Sequence, residues 1–374
     1  MLYLGPHGGR IIRSERAGAL ITDIVSYVTD GHILLEWLLA LDEMTREEQG
    51  FDPTVERLSD APDHEEATIA QLAREKLTPF LPDAHKSLQD HPVHKVTVYS
   101  DIQGEDERQV LIWLPFVESA STVGPGSRIY PCFEAKTNKV FLLKDSWREI
   151  VLEKEWETIR QLNKADVPYV PTVVCAGDIP DQLTTTQELV NEEWRMRHVD
   201  ESEAIGARQH ERQLYREVGR PVIAMRSSKE FMYVIYHAFL GEIPPFLCGG
   251  SIVDIFLPGH QYAFQQGVLH QNVNLSSIFL VDWKLLRAVN NEPEPVPKPL
   301  PEWRKKETKL DGALQHIGGI LLDWHLSLHR EGAEDWDRSS RRHEPSVSFL
   351  PISCIASSNF SRRGRGNSCL RDLA

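Results

Sequence analysis

The stretch Val140-Phe-Leu-Leu-Lys-Asp-Ser-Trp-Arg148 decides how the chain reads. Its bulky apolar residues form a run ending on Lys144, the signature of a buried strand. Upstream, Arg128–Phe133 and a turn at Lys136–Asn138 complete a strand, turn, strand unit. Downstream, Leu152, Trp156, Ile159 and Leu162 recur at helical spacing, which predicts a helix from about Glu149 to Asn163.

Working outward, Leu2–Leu4 and Arg10–Arg13 read as short strands, Ile21–Ser26 as strand or helix, and His32–Met44 as a helix with Ile33, Trp37, Leu38 and Leu41 on one face. A helix is expected at Glu65–Lys76, and Val96–Ser100 with Val110–Leu114 reads as a hairpin around Gln103–Arg108. Asp178–His210 is polar and reads as loop. A helix at Lys229–Phe239 is followed by a helix end at Gln261–Gln266, then strands at Ile278–Val281 and Gly319–Leu322. Residues 292–301, EPEPVPKPLP, place a proline at every second position and read as an extended linker; docking on an SH3-type partner is the weaker alternative.

The chain has 374 residues and a formal charge of −14, with 41% hydrophobic and 26% charged residues. Such a composition is that of an ordinary globular protein. The acidic balance argues against nucleic acid or an anionic membrane as partner. Five cysteines, scattered at 132, 175, 248, 354 and 369 with no CxxC pair, are too few for a disulfide scaffold and do not suit a structural zinc site. No secretory signal is read at the N-terminus, and Leu240–Gly259 carries charges, two adjacent prolines and a Gly pair, unlike a spanning helix. An intracellular protein is expected, in cytoplasm or nucleus.

Four features follow in one order: the Gly loop Val123-Gly-Pro-Gly-Ser-Arg128, Lys144 after its strand, Glu155 on the next helix, and Asp323 ending a strand after a His270-containing loop. ATP-dependent phosphoryl transfer needs such parts. Loop amides surround the phosphates, the Lys pairs with them and is oriented by the Glu, the His loop supplies a base and a metal ligand, and the Asp holds Mg²⁺. Singly, each has a plainer reading. Gly124-x-Gly126 lacks a third glycine, Lys144 would simply surface, Glu155 sits among Glu149, Glu153 and Glu157 as on a solvated face, and Asp323 would cap a strand end. Their joint order carries the chemistry.

Leu143-Lys-Asp-Ser-Trp-Arg148, Glu155, Val167-Pro-Tyr-Val-Pro171, Arg216-Glu-Val-Gly-Arg-Pro221, Arg226-Ser-Ser-Lys-Glu230 and Leu322-Asp-Trp324 resemble the fungal-type protein kinase family. Thr29-Asp-Gly-His32 and Gly50-Phe-Asp-Pro-Thr54 resemble its N-terminal region. The resemblance implies an α+β, bilobal kinase-like fold that takes ATP and Mg²⁺ and phosphorylates protein Ser/Thr hydroxyls. Nucleotide-binding residues would be Gly124, Gly126, Lys144 and Glu155, with Glu217 and Val218 in a hinge near Glu217–Gly219. Asp323 would hold the metal, with Ser277 as a second, weak ligand, and His270 and Asn272 would occupy the catalytic loop.

This copy departs from the family pattern. Where the family has His-Arg-Asp-Ile-Ser-x-Gly-Asn-Ile, residues His270–Ile278 read His-Gln-Asn-Val-Asn-Leu-Ser-Ser-Ile. Asn272 replaces the catalytic Asp, and an amide cannot act as a base; general-base catalysis typically contributes about 10²–10⁴-fold. Ser277 replaces the metal-binding Asn, Gln271 replaces the Arg, and Asn274 is a poor stand-in. After Asp323 only 51 residues follow, without the Ala-Pro-Glu or Gly-Thr-x-x-Phe-Met elements, so the C-lobe is expected to be incomplete. Leu240–Gly259 reads as an anomalous insert, either a family-specific loop or translated intron sequence. The expected division is an N-terminal helical and β extension (1–115), an N-lobe to the hinge (116–219), a partial C-lobe (220–337) with the insert (240–259) and a Pro/charge-rich loop (284–310), and a basic tail (338–374). The expected activity is an impaired kinase; the alternatives are a nucleotide-binding pseudokinase or interaction module, and a degenerate gene product.

Overall fold

The computed structural model describes residues 2–61, 64–81, 91–167, 169–191, 206–222, 225, 258–274, 276–293 and 317–329. All of them lie in one compact unit, Met1–His329. The helix expected at Lys229–Phe239, most of the anomalous insert, most of the proline run and the basic tail lie outside the described residues.

The central element is an antiparallel sheet in which β5 (Val55–Arg57), β6 (His94–Val98), β7 (Arg108–Ile112), β9 (Arg128–Glu134), β10 (Lys139–Glu149), β12 (Arg208–Tyr215) and β11 (Val173–Leu183) are neighbours in that order, with β8 (Val117–Glu118) also on β9. The expected hairpins form: Val96 pairs with Val110, and Val140 with Phe133 across a turn where Asn138 has a φ of 55°. The sheet curls on itself. Past the end of β6 the Asp101 amide donates to the Ala176 carbonyl at 2.9 Å. A Cβ on Gly177 would meet Tyr99 O and Asp101 N at 2.8 Å, so only glycine permits this approach. Inside the curl, Val96, Val98, Val110, Ile112, Cys132, Phe141, Leu143, Cys175 and Leu214 form a core of their own.

Strand alternation gives β10 two faces. Phe141 and Leu143 enter this inner core, while Val140 and Leu142 join a larger outer core. The outer core takes in α2 (Glu65–Leu77) through Ala70, Ala73 and Leu77, and α3 (Glu155–Lys164) through Ile159 and Leu162. It also takes in a small antiparallel sheet, β13 (Gly219–Pro221), β15 (Ile278–Asp282) and β16 (Ile317–Leu321). Helix α4 (Pro258–Gln265) precedes β14 (Val268–Leu269), which pairs with β17 (Leu328–His329). The architecture is α+β.

Four expectations are corrected. The strand does not end at Lys144 but runs on to Glu149, and the helix begins at Glu155 rather than Glu149. Glu155 and Glu157 then sit in its first turn, where the helix dipole favours acids. Asp178–His210 is not loop throughout, because the second half of β11 (from Asp178) and the start of β12 fall within it. Their polarity concealed them: His210, Glu211, Arg212 and Gln213 are all buried, their charges and amides paired rather than solvated. Finally, the expected loop at 284–310 opens with α5 (Trp283–Asn290), whose N-cap Asp282 accepts from the Leu285 amide at 2.9 Å.

The N-terminal strands β1 (Leu2–Leu4), β2 (Gly8–Ser14), β3 (Ala19–Ile21) and β4 (Val25–Ser26) form a separate antiparallel sheet beside α1 (Gly31–Glu43). The helix forms as predicted, yet its apolar side is largely open. Only Leu34 is buried, and Ile33, Leu35, Leu38 and Leu39 are exposed.

Candidate functional site

Lys144 stands mid-strand on the β10 face that looks toward α3, and it is 1% exposed. Its Nζ donates to Glu155 Oε2 at 2.6 Å and to Asp323 Oδ1 at 2.7 Å. Asp323, 179 positions away, thus joins the Lys144–Glu155 pair at one ammonium. Burial alone would lower the Lys144 pKa, but the Asp323 and Glu155 carboxylates outweigh it and hold the ammonium above its ordinary range. Burial would raise Asp323, and Lys144 and the neighbouring His325 bring it below the usual carboxylate range instead.

Asp323 is aimed by the loop before β15. It follows β16 with a left-handed backbone, φ 67°, costly for a residue with a Cβ. The Leu322 amide donates to the Ser277 carbonyl at 2.8 Å, and its carbonyl accepts from His270 Nε2 at 2.8 Å. The Asn272 amide donates to His270 Nδ1 at 3.2 Å, which leaves Nε2 as the protonated nitrogen. The next residue, Trp324, is fully buried edge-on against His270, and its amide donates to the second oxygen of Glu155 at 3.0 Å. Glu155 therefore ties the lysine to the Asp-Trp turn.

The loop positions that depart from the family pattern satisfy one another. Asn274 Nδ2 donates to Asn272 Oδ1 at 3.0 Å, while Asn274 Oδ1 accepts the Ser276 and Ser277 amides. Ser277 is fully buried; its hydroxyl accepts the Asn274 amide at 3.0 Å and shares its proton between the Asn274 and Asn272 carbonyls at 2.9 and 3.2 Å, so it is engaged within its own loop. Among the described residues no group of three His, Cys, Asp or Glu is placed to hold a metal. Among the described residues, Asp323 is the carboxylate on this loop and strand end that could take part in holding a Mg²⁺ ion completed by water and substrate phosphates.

The other expected residues are spread more widely. Glu217 and Val218 lie between β12 and β13, both buried. The Glu217 carboxylate accepts from the Thr172 amide at 2.6 Å and its hydroxyl at 2.8 Å, tying the connection to the start of β11; burial pushes its pKa up. Gly124 (φ 85°) and Gly126 (φ 51°) lie in the β8–β9 loop as expected, but the contacts they make are with the N-terminal sheet. The Gly124 amide donates to Arg16 O at 2.8 Å, and a Cβ on Gly126 would overlap the Arg16 guanidinium.

Sequence reasoning missed two polar clusters on β12. Toward α3, Tyr215 donates to Gln213 at 2.6 Å, Gln213 to Glu211 at 2.9 Å, and Arg148 pairs with Glu211 at 3.0 Å. Burial raises the pKa of Glu211, Glu155 adds to the rise, and Arg148 and Lys144 oppose it. On the opposite face, Arg212 is bound by Asp145 at 2.8 Å, Asp52 at 2.5 Å, Thr54 Oγ1 at 2.7 Å and Thr97 O at 2.7 Å. His210 adds an Asp145 contact at 2.9 Å and stacks on Trp147 at 4.5 Å. Here the curled sheet opens into a groove of about 1490 Å³. The only sequence signal was His-Glu-Arg-Gln itself, four polar residues followed by the β-compatible Leu214 and Tyr215.

A strand lysine, a helix glutamate and a strand-end aspartate meeting at one buried point, within an α+β fold, define the protein-kinase-like class. The chain belongs to the fungal protein kinase family: the family model described as Fungal protein kinase matches residues 10–242. That match takes in Lys144 and Glu155, and the loop at 270–277 and Asp323 lie beyond it. Comparison with curated proteins finds no match. Among the described residues no helix is long and apolar enough to cross a membrane.

Proposed function

We propose that the chain is an ATP-binding member of the family whose phosphoryl transfer to protein Ser/Thr hydroxyls is impaired. The observation that carries the reading is the buried Lys144 ammonium between Glu155 and Asp323, at 2.6 and 2.7 Å. Lys144 would pair with nucleotide phosphates, Glu155 orients it, and Asp323 would hold Mg²⁺, which supplies charge neutralisation on the phosphates. Residues Glu217–Gly219 would form the hinge of a bilobal arrangement, between an N-lobe at 116–219 and a partial C-lobe at 220–337, behind an extension at 1–115 and ahead of a basic tail at 338–374.

The impairment rests on Asn272 and Ser277. Asn272 presents an amide where a base would take the substrate hydroxyl proton, and it is hydrogen-bonded to Asn274 rather than waiting for a proton. The committed Ser277 hydroxyl favours a second reading, nucleotide binding with no transfer at all.

The test is thermal denaturation with ATP and Mg²⁺. A ligand that binds only the folded state stabilises it by about 2.7 kcal/mol at a hundredfold excess over Kd. The wild-type chain is expected to gain stability with rising ATP·Mg²⁺, and Lys144→Met to gain none. No shift for the wild type at millimolar ATP would overturn the reading.

A further inference from the structure

Glu211, Gln213 and Tyr215 alternate onto one face of β12, directly opposite Ser146, Lys144 and Leu142 of β10. Gln213 thus stands across the strand from Lys144, and it is fully buried. A buried amide must satisfy its NH₂ donors and its oxygen without water. Gln213 does so within this row. Its Nε2 donates to Glu211 Oε1 at 2.9 Å and, more weakly, to Glu155 Oε2 at 3.5 Å, and its Oε1 accepts the Tyr215 hydroxyl at 2.6 Å. These partners fix which way round the amide lies, because reversed, its oxygen would face both carboxylates.

Two ion pairs lie side by side here, Lys144–Glu155 at 2.6 Å and Arg148–Glu211 at 3.0 Å. Their acids repel one another: burial, and after it the Glu155 charge, raises the Glu211 pKa. Among the described residues, the Gln213 amide is the group that donates to both acids. The Glu155 oxygen it reaches is the one that takes the Lys144 ammonium, while the other oxygen is held by the Trp324 amide at 3.0 Å.

We propose that Gln213 is a positioning residue that holds Glu155 Oε2 on Lys144 by bridging Glu155 to Glu211, with Tyr215 fixing the amide in that orientation. The proposal rests on the nucleotide reading above and deepens it. Lys144 divides its donors between Glu155 and Asp323. A phosphate that draws the ammonium away from Asp323 leaves Glu155 as the carboxylate that keeps it in place. Gln213, acting through Glu155, then sets how firmly the ammonium is presented to phosphates. Without the bridge, the Glu211 charge acts unopposed on Glu155 and Oε2 is free to leave Lys144.

The experiment titrates ATP·Mg²⁺ calorimetrically into Gln213→Met, Tyr215→Phe and the control Leu214→Val, which trims the inner core on the other face of the same strand. Gln213→Met is expected to weaken ATP·Mg²⁺ about tenfold and Tyr215→Phe about threefold, and Leu214→Val should match the wild type. In a Glu155→Gln background, Gln213→Met should change the affinity less than about twofold, because the carboxylate it positions is gone. The same tenfold loss in that background, or a matching loss in Leu214→Val, would mean a merely structural role and overturn the proposal. Urea unfolding without nucleotide provides a separate readout. Across the wild type, Gln213→Met, Glu155→Gln and the double variant, the effects should depart from additivity by at least about threefold in the unfolding equilibrium constant, and additive effects refute the contact. Should Gln213→Met fail to fold, Tyr215→Phe runs through both comparisons in its place. A wild-type chain that binds no ATP·Mg²⁺ refutes the nucleotide reading and the consequence for phosphates with it. The unfolding cycle then still decides whether Gln213 holds Glu155.

Discussion

Replacing Arg212 with methionine tests whether the groove-side polar cluster holds the curled sheet together. The side chain is fully buried, and it bonds Asp52 at 2.5 Å, Asp145 at 2.8 Å, Thr54 Oγ1 at 2.7 Å and Thr97 O at 2.7 Å. Methionine matches much of its volume, so the change removes charge and donors rather than leaving a cavity. Removing one partner of a buried ion pair typically costs about 3–5 kcal/mol, because the remaining charge is left uncompensated. Here two carboxylates lose their cation, but each keeps other partners. Asp52 retains Thr54 and Gln182, and Asp145 retains His210. The expected loss is therefore about 3 kcal/mol, at the lower end of that range. Urea unfolding followed by tryptophan fluorescence measures it. Adding Asp145→Asn to the Arg212→Met variant should return part of the loss, since a neutral amide no longer needs the guanidinium. A loss below about 1 kcal/mol, the level of an exposed ion pair, would refute the view that this buried pair closes the sheet.

Two further outcomes follow from particular groups. Glu15 is held down to about 2 from 4.5; burial opposes the shift, and the Thr185 and Thr186 hydrogen bonds outweigh it. A depressed carboxylate contributes stability that is fully present above about pH 4.5 and is lost as pH falls toward 2; after screening at this partly solvated position the gain is about 1–2 kcal/mol. Glu15→Gln should therefore flatten the acid limb of a stability-against-pH curve, and an unchanged limb would contradict the assignment. Asn272→Asp restores a carboxylate where a base would act, so it should raise phosphoryl transfer to a protein acceptor by about 10²–10⁴-fold, read with γ-labelled ATP; no increase would mean that the committed Ser277 and Asn274 limit the site independently.

The chemistry was more legible in the sequence than the scaffold around it. Lys144 and Asp323 could be picked out because each ends an apolar run, and Glu155, which sits among other glutamates, only by its place in the order that matched a known division of labour. Strands such as β9 and β15 announced themselves by continuous apolar residues. Strand β12 did not, because most of its buried residues are His210, Glu211, Arg212 and Gln213, which look solvated until their partners are known, and the end of β11 did not because polar residues fill its last positions. Those partners are distant: Asp52 lies 160 residues from Arg212. Nothing local could reveal that Gly126 faces Arg16, since the contact spans two sheets. The start of the α3 helix was misplaced because the strand before it carries polar residues to its last position, Glu149.

The two-sided register of β10 separates shape from chemistry. Lys144, Ser146 and Arg148 look toward α3, while Leu143, Asp145 and Trp147 face the groove and inner core. One run of residues thus serves two faces that alternate position by position. On the reading proposed above, a substitution on the Lys144 face removes chemistry while the groove face stays packed, so architecture can outlast catalysis. A motif spanning both faces then testifies to foldedness, while activity is to be tested at Lys144, Asn272 and Asp323 one residue at a time.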